Sequence, residues 1–216
     1  MTANDSTYPW SGAAKEYFIR PDGTFVGDFE GMYRNCEDPW GQSVEVSRSP
    51  LNRIITSRIA QLPERRVLDL GCGNGDSSEL FRTEGNAEVL GVEISPTAVA
   101  NAKARYPLCK FEVASATEVA RFADMRPTAI CMSGLTWCIL DGFRELLASI
   151  EKRFPGALLF HTLTFYGPGM QKYGTEYFTS LDELLPYFSP MTIEETFVHR
   201  VYPTDGSCNT LVVARV

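Results

Sequence analysis

The chain is poor in the residues that metal and nucleophilic chemistry usually draw on. In 216 residues it has two histidines, His161 and His199, and six cysteines with no C-x-x-C pair. Cys36, Cys72, Cys109, Cys131, Cys138 and Cys208 are scattered, four of them within or beside apolar runs, the pattern of buried free thiols. A zinc site would need distant cysteines to converge on a histidine, so no metal is expected. Basic clusters are missing too: the longest is the pair Arg65-Arg66, and the net charge is −7, with 20 Lys+Arg against 27 Asp+Glu. Binding a phosphate backbone requires a basic face, so no nucleic-acid partner is expected. No apolar stretch nears membrane-spanning length, and the opening MTANDSTYPW has neither the basic region nor the apolar core of a signal peptide. The expectation is a cytoplasmic protein without a membrane partner, monomeric or homodimeric. Repeats and low-complexity tracts are absent, and 216 residues with 44% hydrophobic content suit a single domain, residues 1–216.

What is present is concentrated in RRVLDLGCGNGDSSELF, Arg65 to Phe81. A short apolar run from Val67 to Leu70 ends in Gly71, Gly73 and Gly75 and passes into Asp76, Ser77 and Ser78, which reads as strand, tight turn and helix start. Glycines there permit positive φ and close approach of a ligand, while the free amides of the helix start favour a negative group. The glycines fall as G-x-G-x-G. The dinucleotide fingerprint is G-x-G-x-x-G, with Asp76 here in place of its last glycine, so an NAD-dependent oxidoreductase is disfavoured. Glu93 ends the next apolar run, 20 positions after Gly73, the distance at which a carboxylate meets the ribose hydroxyls of a bound nucleoside.

VLDLGCGNG followed by GVEIS resembles the first two motifs of class I S-adenosylmethionine-dependent methyltransferases, and the resemblance continues to a strand near Leu158 to Leu163. It implies an α/β fold: a Rossmann-like doubly wound sheet of seven mostly parallel strands with an antiparallel last strand. It also implies S-adenosylmethionine as cofactor. By the same resemblance the turn Gly71, Cys72, Gly73 and Gly75 holds the methionine end of the cofactor, Asp69 helps hold its amino group, and Glu93, with Ile94 beside it, binds the ribose hydroxyls. Such enzymes often have an acid for the adenine amino group where Ser115 stands. That departure leaves a hydroxyl with less charge assistance, together with Ala116 and Thr117.

Residues 1–46, broken by prolines and glycines, read as an N-terminal cap of one or two short helices over the cofactor mouth; residues 47–216 read as the Rossmann-like core. The cap is rich in aromatics: Tyr8, Trp10, Tyr17, Phe18, Phe25, Phe29, Tyr33 and Trp40. Its segment FEGMYRNCEDPWG resembles small bacterial methyltransferases such as the nodulation N-methyltransferases of the NodS kind. By that resemblance Tyr33 touches the methionine end of the cofactor; alternatively it only packs the cap onto the core. Ser49-Pro50 and Ser95-Pro96 each read as a cap followed by a helix opening, and Ser180 with Glu183 as a capping box. Strands are expected at 67–70, 88–94, 110–114, 129–132, 157–163, 192–202 and 210–216, the last two joined as a hairpin through PTDGSCN.

Strand ends at the carboxyl edge of a parallel sheet form the binding crevice. Ser133 and Gly134 are therefore expected at the cofactor, with Leu135, Thr136 and Trp137 beside them. Trp137 either contacts substrate, walls off the cofactor or sits in the core. The loop TFYGPGMQKYGTEYF is long enough to be functional, with Tyr166, Tyr173 and Tyr177 as substrate contacts. His161, near the end of the fifth strand, is the candidate general base; otherwise it points to the other side of the sheet. The expected activity is methyl transfer to an oxygen or nitrogen of a small polar metabolite, such as a sugar, an amino sugar or a natural-product intermediate. A methylase of RNA or protein would bring a basic patch or an N-P-P-Y signature where Ser133-Gly134-Leu135-Thr136 stand. A non-catalytic cofactor-binding protein is the third reading.

Overall fold

Serine and proline punctuation and short apolar runs set the elements out in order. In the computed structural model, which describes residues 12–202 and 206–216, the chain opens with four short helices. These are α1 Gly12–Phe18, α2 Phe29–Asn35, α3 Gln42–Arg48 and α4 Pro50–Ala60. Ser49 starts α4 as expected: its Oγ accepts the Asn52 amide at 3.4 Å, and Pro50 takes a position with no amide to satisfy. Strand and helix then alternate through β1 Arg66–Leu70, α5 Asp76–Thr83, β2 Glu88–Glu93, α6 Pro96–Arg105, β3 Lys110–Val113, β4 Ala129–Ser133, α7 Phe143–Arg153 and β5 Leu158–Phe165. The single-turn α8 Leu181–Leu184 and the hairpin β6 Thr192–Tyr202 and β7 Ser207–Arg215 end the chain.

The seven strands lie in the order β3-β2-β1-β4-β5-β7-β6, the first five parallel and β7 antiparallel to both its neighbours. The doubly wound arrangement with an antiparallel last strand is thus the one expected from the sequence. The strand order reverses between β1 and β4, and a ligand crevice opens at the carboxyl ends of strands around such a reversal.

Alternation along each strand sends side chains to opposite faces. On one face Val67, Phe81 and Phe160 pack with Ile55 and Ile59 of α4. On the other, Leu68, Leu70 and Ile130 pack with Phe143 and Leu147 of α7 and with Phe178 and Phe188. Two stretches differ from expectation. β5 runs on to Phe165, two residues past the expected Leu163. β7 begins at Ser207, three residues before the expected Thr210, by pairing Cys208 with Phe165 and Asn209 with Thr164. Tyr8, Trp10 and residues 203–205 of the expected hairpin turn lie outside the described residues.

Ile59 is fully buried between α4 and the sheet. Ile59→Ala should lower unfolding free energy by about 2–5 kcal/mol, seen as a lower denaturant midpoint at unchanged slope.

Candidate active site

The site starts from the turn after β1. Gly71, Gly73 and Gly75 all have positive φ, +72°, +56° and +86°, a conformation that residues with a Cβ rarely adopt. The amides of Gly71 and Cys72 both donate to the Val92 carbonyl, at 2.8 and 3.1 Å, which joins the turn to the end of β2. Glu93 closes the arrangement: its Oε2 accepts the Gly73 amide at 3.1 Å and its Oε1 the Ser95 amide at 3.0 Å. Burial raises the Glu93 carboxyl above its usual range, opposed by the Ser95 and Gly73 amides. Asp69 lies behind the turn, buried, with Ser78 Oγ donating to its Oδ2 at 2.6 Å. Burial, with Glu93 adding a smaller push, lifts the Asp69 carboxyl to about 7, against the hydrogen bond from Ser78. Among the described residues no ion pair reaches Asp69 or Glu93.

The cap closes on this turn from above. A Cβ on Gly73 would stand 2.4 Å from Gln42 Oε1 and 2.6 Å from the Tyr33 hydroxyl, so only glycine lets those side chains come so close. Asn74 fastens the two pieces, its Nδ2 donating to the Glu37 carbonyl at 2.8 Å. Glu30 of α2 pins the cap to the start of α6 by accepting from Ser95 Oγ at 2.6 Å and Thr97 Oγ1 at 2.7 Å. Those bonds hold its carboxyl down at about 2.

Between cap, turn and strand ends lies a cavity of about 360 Å³, within the roughly 300–1,000 Å³ typical of small-molecule sites. Of the expected cofactor residues, Tyr33, Gly71, Glu93, Ile94, Ser115, Ala116, Ser133 and Gly134 line it, as do Trp137 and Tyr166. Asp69, Cys72, Gly73, Gly75 and Thr117 do not. Cys72 is buried beside Gly91 and Phe111, and Thr117 turns to Ser115, their hydroxyls 2.7 Å apart. These residues shape or support the turn and the rim.

Three expectations need correction. His161 is fully buried and faces away from the cavity, its Nε2 2.6 Å from Thr136 Oγ1 and its ring against Phe143 and Phe188. Burial pushes its pKa down to about 3, so it stays neutral inside the α7 face. Thr136, expected in the crevice, is the buried partner of that histidine. Tyr173 and Tyr177 do not reach the cavity either. Tyr173 stacks on Phe25 of the cap, centroids 5.1 Å apart, and the Tyr177 hydroxyl bonds Asp141. The sequence reading missed Gln42, Thr162, Thr164 and Asn209, all of which line the cavity. Asn209 had a signal: a final antiparallel strand starts at the edge where the parallel strands end, so its first residues face the crevice.

The donor set fits a nucleoside-bearing cation. Glu93 presents two buried carboxylate oxygens where ribose hydroxyls would donate, the positive-φ turn allows close approach, and the local negative charge has no ion-pair partner among the described residues. Fold and cleft are similar to those of the class I S-adenosylmethionine-dependent methyltransferases. Residues 67–153 match the family described as a methyltransferase domain. The chain is similar to the trans-aconitate 2-methyltransferase of Klebsiella pneumoniae strain 342, 36% identical over 104 residues that cover 47% of this chain and 36% of that protein. It is 38% identical over 132 residues to that of Variovorax paradoxus strain S110, covering 59% and 46%. The matches thus span less than half the length of these curated relatives. The TehB-like SAM-dependent methyltransferase of Corynebacterium glutamicum shares the fold, with a TM-score of 0.61 at 18% identity over 85% of this chain and 98% of that one.

Two outcomes follow from the buried groups. Asp69 ionises near 7 when folded but near 4 when unfolded. Between those values the folded state binds more protons at this group, so the contribution of Asp69 to stability is full below about pH 4, falls toward pH 7 and levels off above it, while His161, held at about 3, acts in the opposite direction below about pH 6.5. Asp69→Asn should flatten that slope in denaturation midpoints measured from pH 4 to 8. His161→Asn should reduce turnover less than about tenfold, short of the ~10²–10⁴-fold contributed by a general base.

Proposed function

We propose that the chain transfers the methyl group of S-adenosylmethionine to an oxygen or nitrogen of a small uncharged metabolite, with residues 1–46 acting as a lid over the core at 47–216. One observation carries this reading: the cavity joins the glycine turn and Glu93 to a wall of aromatics, and no lysine, arginine or histidine is among the described residues lining it. Residues 1–11 and 203–205 contain none either. The relatives from Klebsiella and Variovorax act, by their names, on trans-aconitate, a tricarboxylate. Three carboxylates taken out of water call for cationic partners. Here the ionisable carboxyls in view are Glu93 and, at the mouth, Glu45, which would repel them. Sugars and natural-product intermediates without ionised groups suit the cavity better, and the lack of a basic lining speaks against RNA.

When bound, the cofactor supplies a methyl group activated by its sulfonium. The chain's own work is alignment: Glu93 and the Gly71–Gly75 turn fix one partner, while Trp137, Tyr166 and Leu163 wall off water at the other end. Positioning of this kind can supply about 7–11 kcal/mol of the barrier lowering. With His161 outside the cavity, no histidine takes the proton. The reading includes a cytoplasmic monomer or homodimer.

Calorimetry should show S-adenosylhomocysteine binding the wild-type chain, with Glu93→Ala weakening it at least tenfold. Label from S-adenosylmethionine should appear in neutral small metabolites of a cell extract. Binding without any transfer would leave a non-catalytic cofactor-binding protein.

A further inference from the structure

We infer that the end of the cavity built by β4, β5 and β7 is the methyl-acceptor site, and that Asn209, Thr164 and Ser133 there hold an uncharged hydroxyl or carbonyl oxygen. This deepens the methyltransferase reading and rests on it.

The cavity has two chemically different ends. Glu93, on β2, marks one. Ser133, on β4, is two strand spacings away, about 10 Å at ~4.8 Å per spacing, and Thr164 on β5 and Asn209 on β7 lie one and two spacings beyond. At this far end the polar groups are neutral and prearranged. Thr164 Oγ1 donates to Asn209 Oδ1 at 2.7 Å across the β5–β7 register pair, so the amide's Nδ2 donor is the half left for a ligand. The Thr164 carbonyl accepts Trp137 Nε1–H at 3.0 Å, which fixes the indole as a wall beside this pair. Ser133 Oγ is buried and has no hydrogen-bond partner among the described residues. A buried hydroxyl without a partner is costly, and a ligand oxygen or N–H would relieve it.

Neutral donors flanked by aromatic and aliphatic side chains select a neutral polar group on an apolar body. A carboxylate of the same shape would be desolvated here with no cationic side chain among the described lining residues to meet it. This end therefore sets acceptor specificity, and Asn209 is a positioning residue rather than a proton carrier.

A matched trio of probes tests this: benzamide, benzyl alcohol and benzoate, titrated by protein-observed NMR into the full chain saturated with S-adenosylhomocysteine. A neutral probe should bind at least tenfold more tightly than benzoate. Asn209→Ala should weaken the neutral probe at least fivefold while S-adenosylhomocysteine affinity moves less than twofold; Ser133→Ala, a smaller change, should act in the same direction and serves if Asn209→Ala fails to fold. Benzoate binding as tightly as benzamide, no neutral probe binding at all, or unchanged neutral-probe affinity in the folded variants would each overturn the assignment. Failure of S-adenosylhomocysteine to bind the wild-type chain is a separate result: it would overturn the methyltransferase reading, and this inference with it.

Discussion

The Glu93 carboxylate, gripped by the amides of Gly73 and Ser95, is the contact on which the site depends. It ties the glycine turn after β1 to the start of α6 across the end of β2, so two loops that would otherwise move separately share one buried anion. Amides hydrogen-bonded to a carboxylate are already satisfied, yet the carboxylate keeps further lone pairs for a ligand. Burial makes this arrangement costly for the protein alone, since Asp69 and Glu93 are both pushed toward protonation. A cationic ligand with hydroxyl donors would offset that cost.

The second feature is a roof made from two distant parts of the chain. Phe18 and Phe25 of the cap meet Tyr173 of the loop after β5, the last two stacked within 9° of parallel. A Cβ on Gly23 would stand 2.4 Å from the Lys172 carbonyl oxygen, so the cap's turn lies directly on that loop. Aromatic pairs of this kind contribute about 0.5–1.5 kcal/mol beyond burial and hold the loop against the N-terminal segment. Tyr173 is therefore part of the enclosure and not of the lining, although the loop that carries it does supply Tyr166 to the cavity.

The glycine turn and the acid beside it were legible in the sequence because their signals are local. G-x-G-x-G after an apolar run dictates a positive-φ turn, and the end of the next apolar run puts Glu93 at the end of β2. Ser49-Pro50 and Ser95-Pro96 announced helix starts for the same reason: Ser95 Oγ accepts the Ala98 amide at 3.1 Å within one turn. His161 was not legible in this way. It lies in the middle of β5, which runs on to Phe165, and which face its side chain takes there follows from a register with β4 and β7 that periodicity alone does not fix.

The sequence by itself determined the turn, because it depends on residues within a few positions of one another, and the acid at the end of the next apolar run, while the class of fold came from the resemblance that these two motifs carry. Only the tertiary structure decided that His161 is sealed under α7, that Gln42 and Tyr33 close over Gly73, and that Asn209 joins Thr164 at the far end of the cavity. Those pairings link residues tens of positions apart, and long-range contacts are set by how whole faces pack together, a constraint that no local pattern carries.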